Sequence, residues 1–293
     1  MIDCHYHLEG SMVSIPCLLQ SMDAHGVRRT ALIATLTAEL RLPRFAGPAL
    51  AMFRRLLLAR GASAHDLGLS FYRRTVKRDG TVDLLGASYE IKSQPRNDEI
   101  LEAVKAYPDR FWGWIFVNPV GPVDPQDEIE RCRRQPGMIG VKAHPFWHDY
   151  PIERLTDVAA RCQELALPML IHLGADAHGD WRLLPELFPR LTVIYAHAGI
   201  PYAREVCAYA RGRDRVFVDL SSPAYVDSRV AREAVRLAGS ERCLFGSDGP
   251  YFHVVDGGFD YRPVKHILFR LGLSDRERER IEEKNFLELL GRA

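Results

Sequence analysis

Eight short, nearly continuous apolar runs, each followed by turn residues and a helix-like stretch, set the architecture of this 293-residue chain. They are Met1–His7, Arg28–Leu36, Arg110–Pro119, Met138–Pro145, Pro168–Gly174, Thr192–Gly199, Val216–Ser222 and Cys243–Pro250. A strand with one face in water alternates apolar and polar residues; these runs do not, which marks parallel strands buried on both faces. The stretches between them predict helices over Asn97–Tyr107, with Asn97 as N-cap, over Ile152–Leu165 and over Asp227–Ala238. A last helix opens on the capping box Ser274-Asp275-Arg276-Glu277 and runs to Leu290. Strand and helix alternating eight times predict an α/β fold, a (β/α)8 TIM barrel, occupying 1–293 as one domain. No fixed-period repeat or low-complexity tract interrupts the pattern.

One segment breaks the rhythm. Residues 37–96, between the second and third runs, are far longer than a usual strand-to-helix connection. A helix is expected there over Pro48–Arg60, together with a basic tract of Arg54, Arg55, Arg60, Arg73, Arg74, Lys77 and Arg78. On a barrel this insertion projects from the C-terminal face, where active sites collect. It reads either as a solvated cap or as a lid whose Arg73 and Arg74 draw in an anionic substrate. Phe71 and Tyr72 are too few interleaved aromatics for a nucleic-acid surface.

Composition narrows the function classes. A net charge of +1 gives no general attraction to nucleic acid or membrane. No apolar run approaches a bilayer span, and no secretion signal is visible. The six cysteines form no Cys-x-x-Cys pair, so they read as reduced thiols of a cytoplasmic protein rather than as a zinc site. The partner expected is a small molecule, with room for a homo-oligomer.

The interior of a barrel strand should be apolar, so ionisable residues at strand ends are informative. In the first run Asp3, His5 and His7 share one face by the two-residue strand period, and Ile2, Cys4 and Tyr6 the other. Cys4 should therefore be buried and inert. Later runs carry Lys142 and His144, His172, His197, Asp219 and Asp248 near their C-terminal ends. Each desolvated polar group needs a partner, and one shared metal satisfies several. His and Asp donors without sulfur suit zinc and tolerate manganese or iron. Such an ion brings the pKa of bound water from about 15.7 to roughly 7.

His-x-His in the first run, followed in order by LPMLIHLG, LTVIYAHAG and RCLFGSDGP, resembles the amidohydrolase superfamily. The similarity is strongest to its amidohydrolase-related branch, which includes aminocarboxymuconate-semialdehyde decarboxylase and related decarboxylases, hydratases and hydrolases. PDRFWGWIFVNP, GMIGVKAHP and NFLELLG extend it over nearly the whole chain. The resemblance implies one divalent metal, foremost zinc with manganese second, held by His5, His7 and His172. Asp248 would complete the site or orient the water, and His197 would be the neighbouring acid/base. Binuclear members use a carboxylated lysine on strand four; here one metal is favoured, with Lys142 a substrate or structural contact. Lys142 and His144 have the same strand parity, so either can face the pocket.

The activity implied is hydrolysis of an amide, lactone or related bond in a small, anionic substrate. The rival is non-oxidative decarboxylation of an unsaturated or aromatic acid; a minor alternative is a non-catalytic barrel that only binds. Two other barrel families begin with His-x-His, a nuclease family and the histidinol-phosphatase-like phosphoesterases. The first usually has a glutamate on strand four, where this chain has Lys142-Ala143-His144, and the second uses more scattered ligands. Further candidates in the loops are Trp147, His148, His178, Trp181, Tyr251 and His253, which read either as a surface for a planar ligand at the barrel mouth or as packing of the loops themselves. Asp219 and Ser221 read as pocket lining or as partners of neighbouring strands.

Overall fold

The computed structural model describes residues 1–37, 40, 46–77, 79–84, 86–175 and 180–291. Eight parallel strands follow one another round the sheet in chain order. They are β1 (Ile2–Leu8), β2 (Arg29–Ala34), β3 (Phe111–Phe116), β4 (Met138–Ala143), β5 (Met169–Ile171), β6 (Val193–Tyr195), β7 (Val216–Asp219) and β8 (Cys243–Leu244). The chain beyond β8 closes the barrel on β1: Cys4 N–H donates to the Phe245 carbonyl (3.0 Å), Asp248 N–H to His5 (2.8 Å) and His7 N–H to Gly249 (2.7 Å). Gly246 makes this seam possible, because a Cβ there would lie 2.9 Å from that of His5. Every residue of β1 is buried, as are those of β3 to β8, which is why their sequences are continuous rather than alternating.

Strands β6 to β8 end earlier than the apolar runs suggest. His197, Ala198, Ser222 and Asp248 have φ of 54°, 58°, 64° and 57°, a left-handed conformation that ends the extended chain. Such backbone costs about 1–3 kcal/mol per residue and collects at functional sites.

The first helix, α1 (Ile15–His25), is capped by Ser14, and a later one carries a correction. Asn97 does not cap its helix; it is the first residue of α4 (Asn97–Ala106), and Arg96 precedes it as N-cap. Its amide donates to the Phe116 carbonyl (2.9 Å) and to Glu128 (2.7 Å) and accepts from Phe116 N–H (2.8 Å), so it pins the end of β3. Ile152–Leu155 is a 3₁₀ turn that leads into a helix over Thr156–Glu164. Asp227 caps the helix Ser228–Ala238, and the capping box at Ser274 and Glu277 is formed. The terminal helix is interrupted by a π turn, Arg280–Lys284, where the Ile281 carbonyl accepts from Phe245 N–H (2.9 Å) at the seam.

The insertion holds more structure than its sequence suggests. The expected helix spans Ala46–Leu57 (α2); a second, Ala62–Thr75 (α3), and a hairpin of Thr81–Leu84 with Ala87–Glu90 were not foreseen. Gly68 lets α3 lie against α2, since a Cβ there would sit 2.5 Å from the Leu57 nitrogen. Much of the basic tract is engaged within the chain. Arg54 donates to the carbonyls of Pro223 (3.2 Å) and Ala224 (3.0 Å) beyond β7 and pairs with Asp227 (2.9 Å). Lys77 pairs with Asp83 (3.2 Å), and Arg78 lies outside the described residues. Among the described residues, no helix is long and apolar enough to cross a membrane.

Candidate active site

The C-terminal ends of the strands bring six polar side chains to the floor of one cavity: His7, His144, His172, His197, Ser222 and Asp248. His5 lies directly beneath, fully buried. Its Nδ1 meets Asp219 Oδ2 at 2.8 Å, and its Nε2 stands 3.4 Å from Asp248 Oδ1. His7 Nε2 is 3.6 Å from the same oxygen, with its Nδ1 3.4 Å from the Ala34 carbonyl.

Asp219, also fully buried, organises this half of the site. Its Oδ1 accepts from the backbone N–H groups of His197 (2.9 Å) and Ser221 (3.0 Å) and from the Ser221 hydroxyl. Ser221 Oγ in turn lies 2.8 Å from His197 Nδ1. This network fixes tautomers. Because the serine proton goes to Asp219, His197 Nδ1 donates to Ser221 and its Nε2 keeps a lone pair. His5 donates through Nδ1 to Asp219 in the same way, so its Nε2 also presents a lone pair. A carboxylate holding the far nitrogen of an imidazole is the usual support of a metal-ligating histidine. Sequence reasoning left Asp219 and Ser221 between two roles; the structure makes them the partners of His5 and His197.

The other half of the floor is a stack of rings. His144 and His172 lie 4.1 Å apart at 26°, and His197 meets the edge of His172 at 4.7 Å. His144 Nδ1 accepts from Trp147 N–H (3.1 Å), which leaves the proton on Nε2. His172 Nε2 meets the hydroxyl of Tyr72 at 2.8 Å, a residue delivered by α3 of the insertion and stacked on Phe146 at 3.7 Å. The sequence marks Tyr72 only as an aromatic within a basic tract. Its burial between the exposed Phe71 and Arg73 is visible in the structure alone.

Burial above all pushes these imidazoles down, His7 to about 3, so they are neutral, the form a ligating imidazole takes. Burial raises the Asp248 carboxyl and lowers the Lys142 ammonium, and attraction between the two opposes both shifts. Lys142 Nζ is fully buried and has no hydrogen-bond partner among the described residues, and it does not line the cavity; of the two residues of shared parity, His144 does.

Other expected contacts divide. Trp147 and Tyr251 line the cavity, Tyr251 with its ring 5.2 Å from His7 and its hydroxyl 2.9 Å from that of Thr35. Trp181 does not reach the mouth: it is buried against Tyr209 (5.0 Å), and its carbonyl accepts from the Tyr195 hydroxyl, so it packs the barrel wall. His148 Nε2 meets the Lys92 carbonyl (3.1 Å) and ties down the end of the insertion. His253 is half-buried beyond β8, and His178 lies outside the described residues. Arg73 and Arg74 are exposed and do not line the cavity; Arg73 donates to the Ala175 carbonyl (3.1 Å). Cys4 is buried, with its thiol pushed up by burial.

The donor set fits a divalent cation. His5, His197 and Asp248 each offer a ligand atom, and these lie within 4.8 Å of one another. His5 Nε2 is a buried polar atom with no hydrogen-bond partner among the described residues, which an ion would supply.

No curated protein matches the sequence. In fold the chain is similar to a protein from Pseudomonas putida assigned as a 2-pyrone-4,6-dicarboxylic acid hydrolase (18% identity, TM-score 0.62, covering 99% of this chain and 97% of that one). It is similar to 2,6-dihydroxybenzoate decarboxylase complexed with 2,6-dihydroxybenzoate (15%, 0.61, 99% and 98%). It is also similar to a dihydroxybenzoic acid decarboxylase from Polaromonas with bound manganese and the inhibitor 2-nitroresorcinol (16%, 0.57, 99% and 96%). The amidohydrolase family pattern matches residues 2–292. The barrel, its ring of strand-end histidines and aspartates, and this match along nearly the full length place the chain in the amidohydrolase family.

Proposed function

We propose that the protein is a metal-dependent hydrolase that adds water to an amide, lactone or related bond of a small acidic substrate. The observation that carries the reading is the orphaned, buried Nε2 of His5, aimed at Asp248 Oδ1 on the floor of an open cavity. His5, His7, His172 and Asp248 would hold one cation, zinc foremost and manganese second. When bound, the ion lowers the pKa of a water molecule and polarises a carbonyl oxygen.

The chain's own groups handle the rest. His197 presents a lone pair at Nε2, held in place through Ser221 and Asp219, and accepts the proton of the attacking water. The protonated His197 then returns that proton to the leaving group, while Asp248 stays ionised and orients the water. His144, with its proton on Nε2, donates to a substrate oxygen. Lys142 stays beneath as the counter-charge to Asp219 and Asp248. The six unpaired cysteines accord with a cytoplasmic setting, and barrel and insertion together would work as one domain.

Decarboxylation is the second reading. The cavity walls include Phe146, Trp147, Tyr225 and Tyr251, which fit a planar unsaturated acid, and a carboxylate held there is poorly solvated. Turnover of an amide and lactone panel, against carbon dioxide release from aromatic and dienoic acids, separates the two. Metal analysis of protein purified without chelator tests both. Less than about one equivalent, unrestored by zinc or manganese, overturns the metal centre. His172→Ala should lose the metal and His197→Ala keep it; the reverse would make His197 the ligand, as its place beside His5 and Asp248 also allows.

A further inference from the structure

The cavity above this floor has a volume of about 430 Å³, and its upper walls differ in kind from its base. Leu36, Leu50, Phe53, Leu56, Phe71 and Leu84 line it from the insertion and its approach. Among the described lining residues there is no lysine or arginine, the histidines are neutral, and the carboxyl groups are those of Asp83 and Asp248. A cavity of roughly 150 Å³ takes a benzene ring, so this one exceeds what a single-ring acid fills. The apolar walls continue to the rim, where Phe71 and Met52 are 46% and 58% exposed. Scattered apolar side chains on a surface need no explanation, but these are contiguous with an apolar chamber that opens onto reactive groups.

We infer that α2 and α3 form an apolar subsite, and that the substrate is amphiphilic. Its acidic, reacting end sits on the histidine floor, and an uncharged hydrocarbon portion larger than one ring occupies the chamber. The inference rests on the catalytic reading above only for which end of the ligand reaches the floor. The chamber also accounts for the exposed position of Arg73 and Arg74: a substrate recognised by its hydrocarbon part needs no cationic lid.

Calorimetric titration of the purified protein with benzoate and its 4-propyl, 4-pentyl and 4-heptyl derivatives tests this without turnover. Affinity should rise about threefold to fourfold for each added methylene until the chamber is full. In Leu50→Asn/Phe53→Ser the dependence on chain length should flatten. Leu50 and Phe53 are half-buried, so the fold should tolerate the changes. As a second variant, Leu50→Trp narrows the chamber and should weaken the heptyl acid far more than benzoate. Affinity independent of chain length, or an unchanged slope in both variants, overturns the subsite. A normal slope with no turnover of any acid, amide or lactone would sustain the subsite and overturn the catalytic reading instead.

Discussion

The floor and the roof of the cavity are built from different parts of the chain and by different physics. The floor is polar, fully desolvated and over-determined: Asp219 alone receives His5, Ser221 and the backbone of His197. The roof is apolar, partly exposed and held by few polar contacts, chiefly Arg54, Tyr72 and Arg73. A network in which each group depends on the next tolerates almost no change, whereas a wall of leucines tolerates exchange of one apolar side chain for another. On the reading proposed above, chemistry and choice of substrate are lodged in separable regions.

The sharpest way to break that separation is to attack the floor alone. Chelation, or His5→Ala, should lower kcat on the order of 10³-fold or more while leaving the chain-length dependence of acid binding intact. A slope that collapsed with the metal would show that floor and roof are one unit. Next in size, Asp219→Asn should cost about 10- to 100-fold in metal affinity or activity, because both His5 and His197 lose their orienting partner. Metal titration and kcat measure it.

Tyr72 is where the two regions touch. Tyr72→Phe keeps the ring on Phe146 but removes the hydroxyl from His172, and kcat should fall about twofold to tenfold with metal content unchanged. Loss of metal in that variant would assign Tyr72 to the floor. Smaller again, Arg54→Gln releases α2 from the loop beyond β7. It should weaken the longest acid by no more than about fivefold and benzoate hardly at all.

A change in the barrel wall provides the reference. Burial raises the Glu128 carboxyl, but the Arg131 guanidinium and the Asn97 amide outweigh it and hold the group below its ordinary value. A depressed carboxylate stabilises the fold above its unfolded pKa, and that contribution fades as pH falls through the folded value. Glu128→Gln should therefore lower stability at pH 7 by about 1–3 kcal/mol, read as a lower Tm, with the gap closing as pH falls through the folded value. Turnover and acid binding at neutral pH should not move.

What the sequence disclosed follows the same division. Strands buried on both faces cannot hide, and histidines and aspartates at their ends stand out because water is absent there. The roof was far less legible. Its second helix and hairpin are amphipathic against a cavity rather than a core, so their apolar residues look scattered. The tract of arginines suggested charge facing the substrate, but periodicity does not tell that Arg54 turns to backbone carbonyls beyond β7. Asn97 misled for a related reason: an asparagine at a helix start caps the helix unless a strand end offers it better partners, as Phe116 does. The left-handed backbone at His197 and Asp248 leaves no mark in composition, since neither residue is glycine.

The Arg54 anchor also orders events in time. The roof is encoded in the first third of the chain, yet Arg54 grips residues 169 and 170 positions later, and Tyr72 reaches His172 across 100. As a polypeptide emerges from the ribosome amino end first, α2 and α3 must wait with their leucines unsheltered until β5 and β7 have been made. The proposed subsite is thus among the first parts to be synthesised, yet it cannot be seated until seven of the eight strands exist.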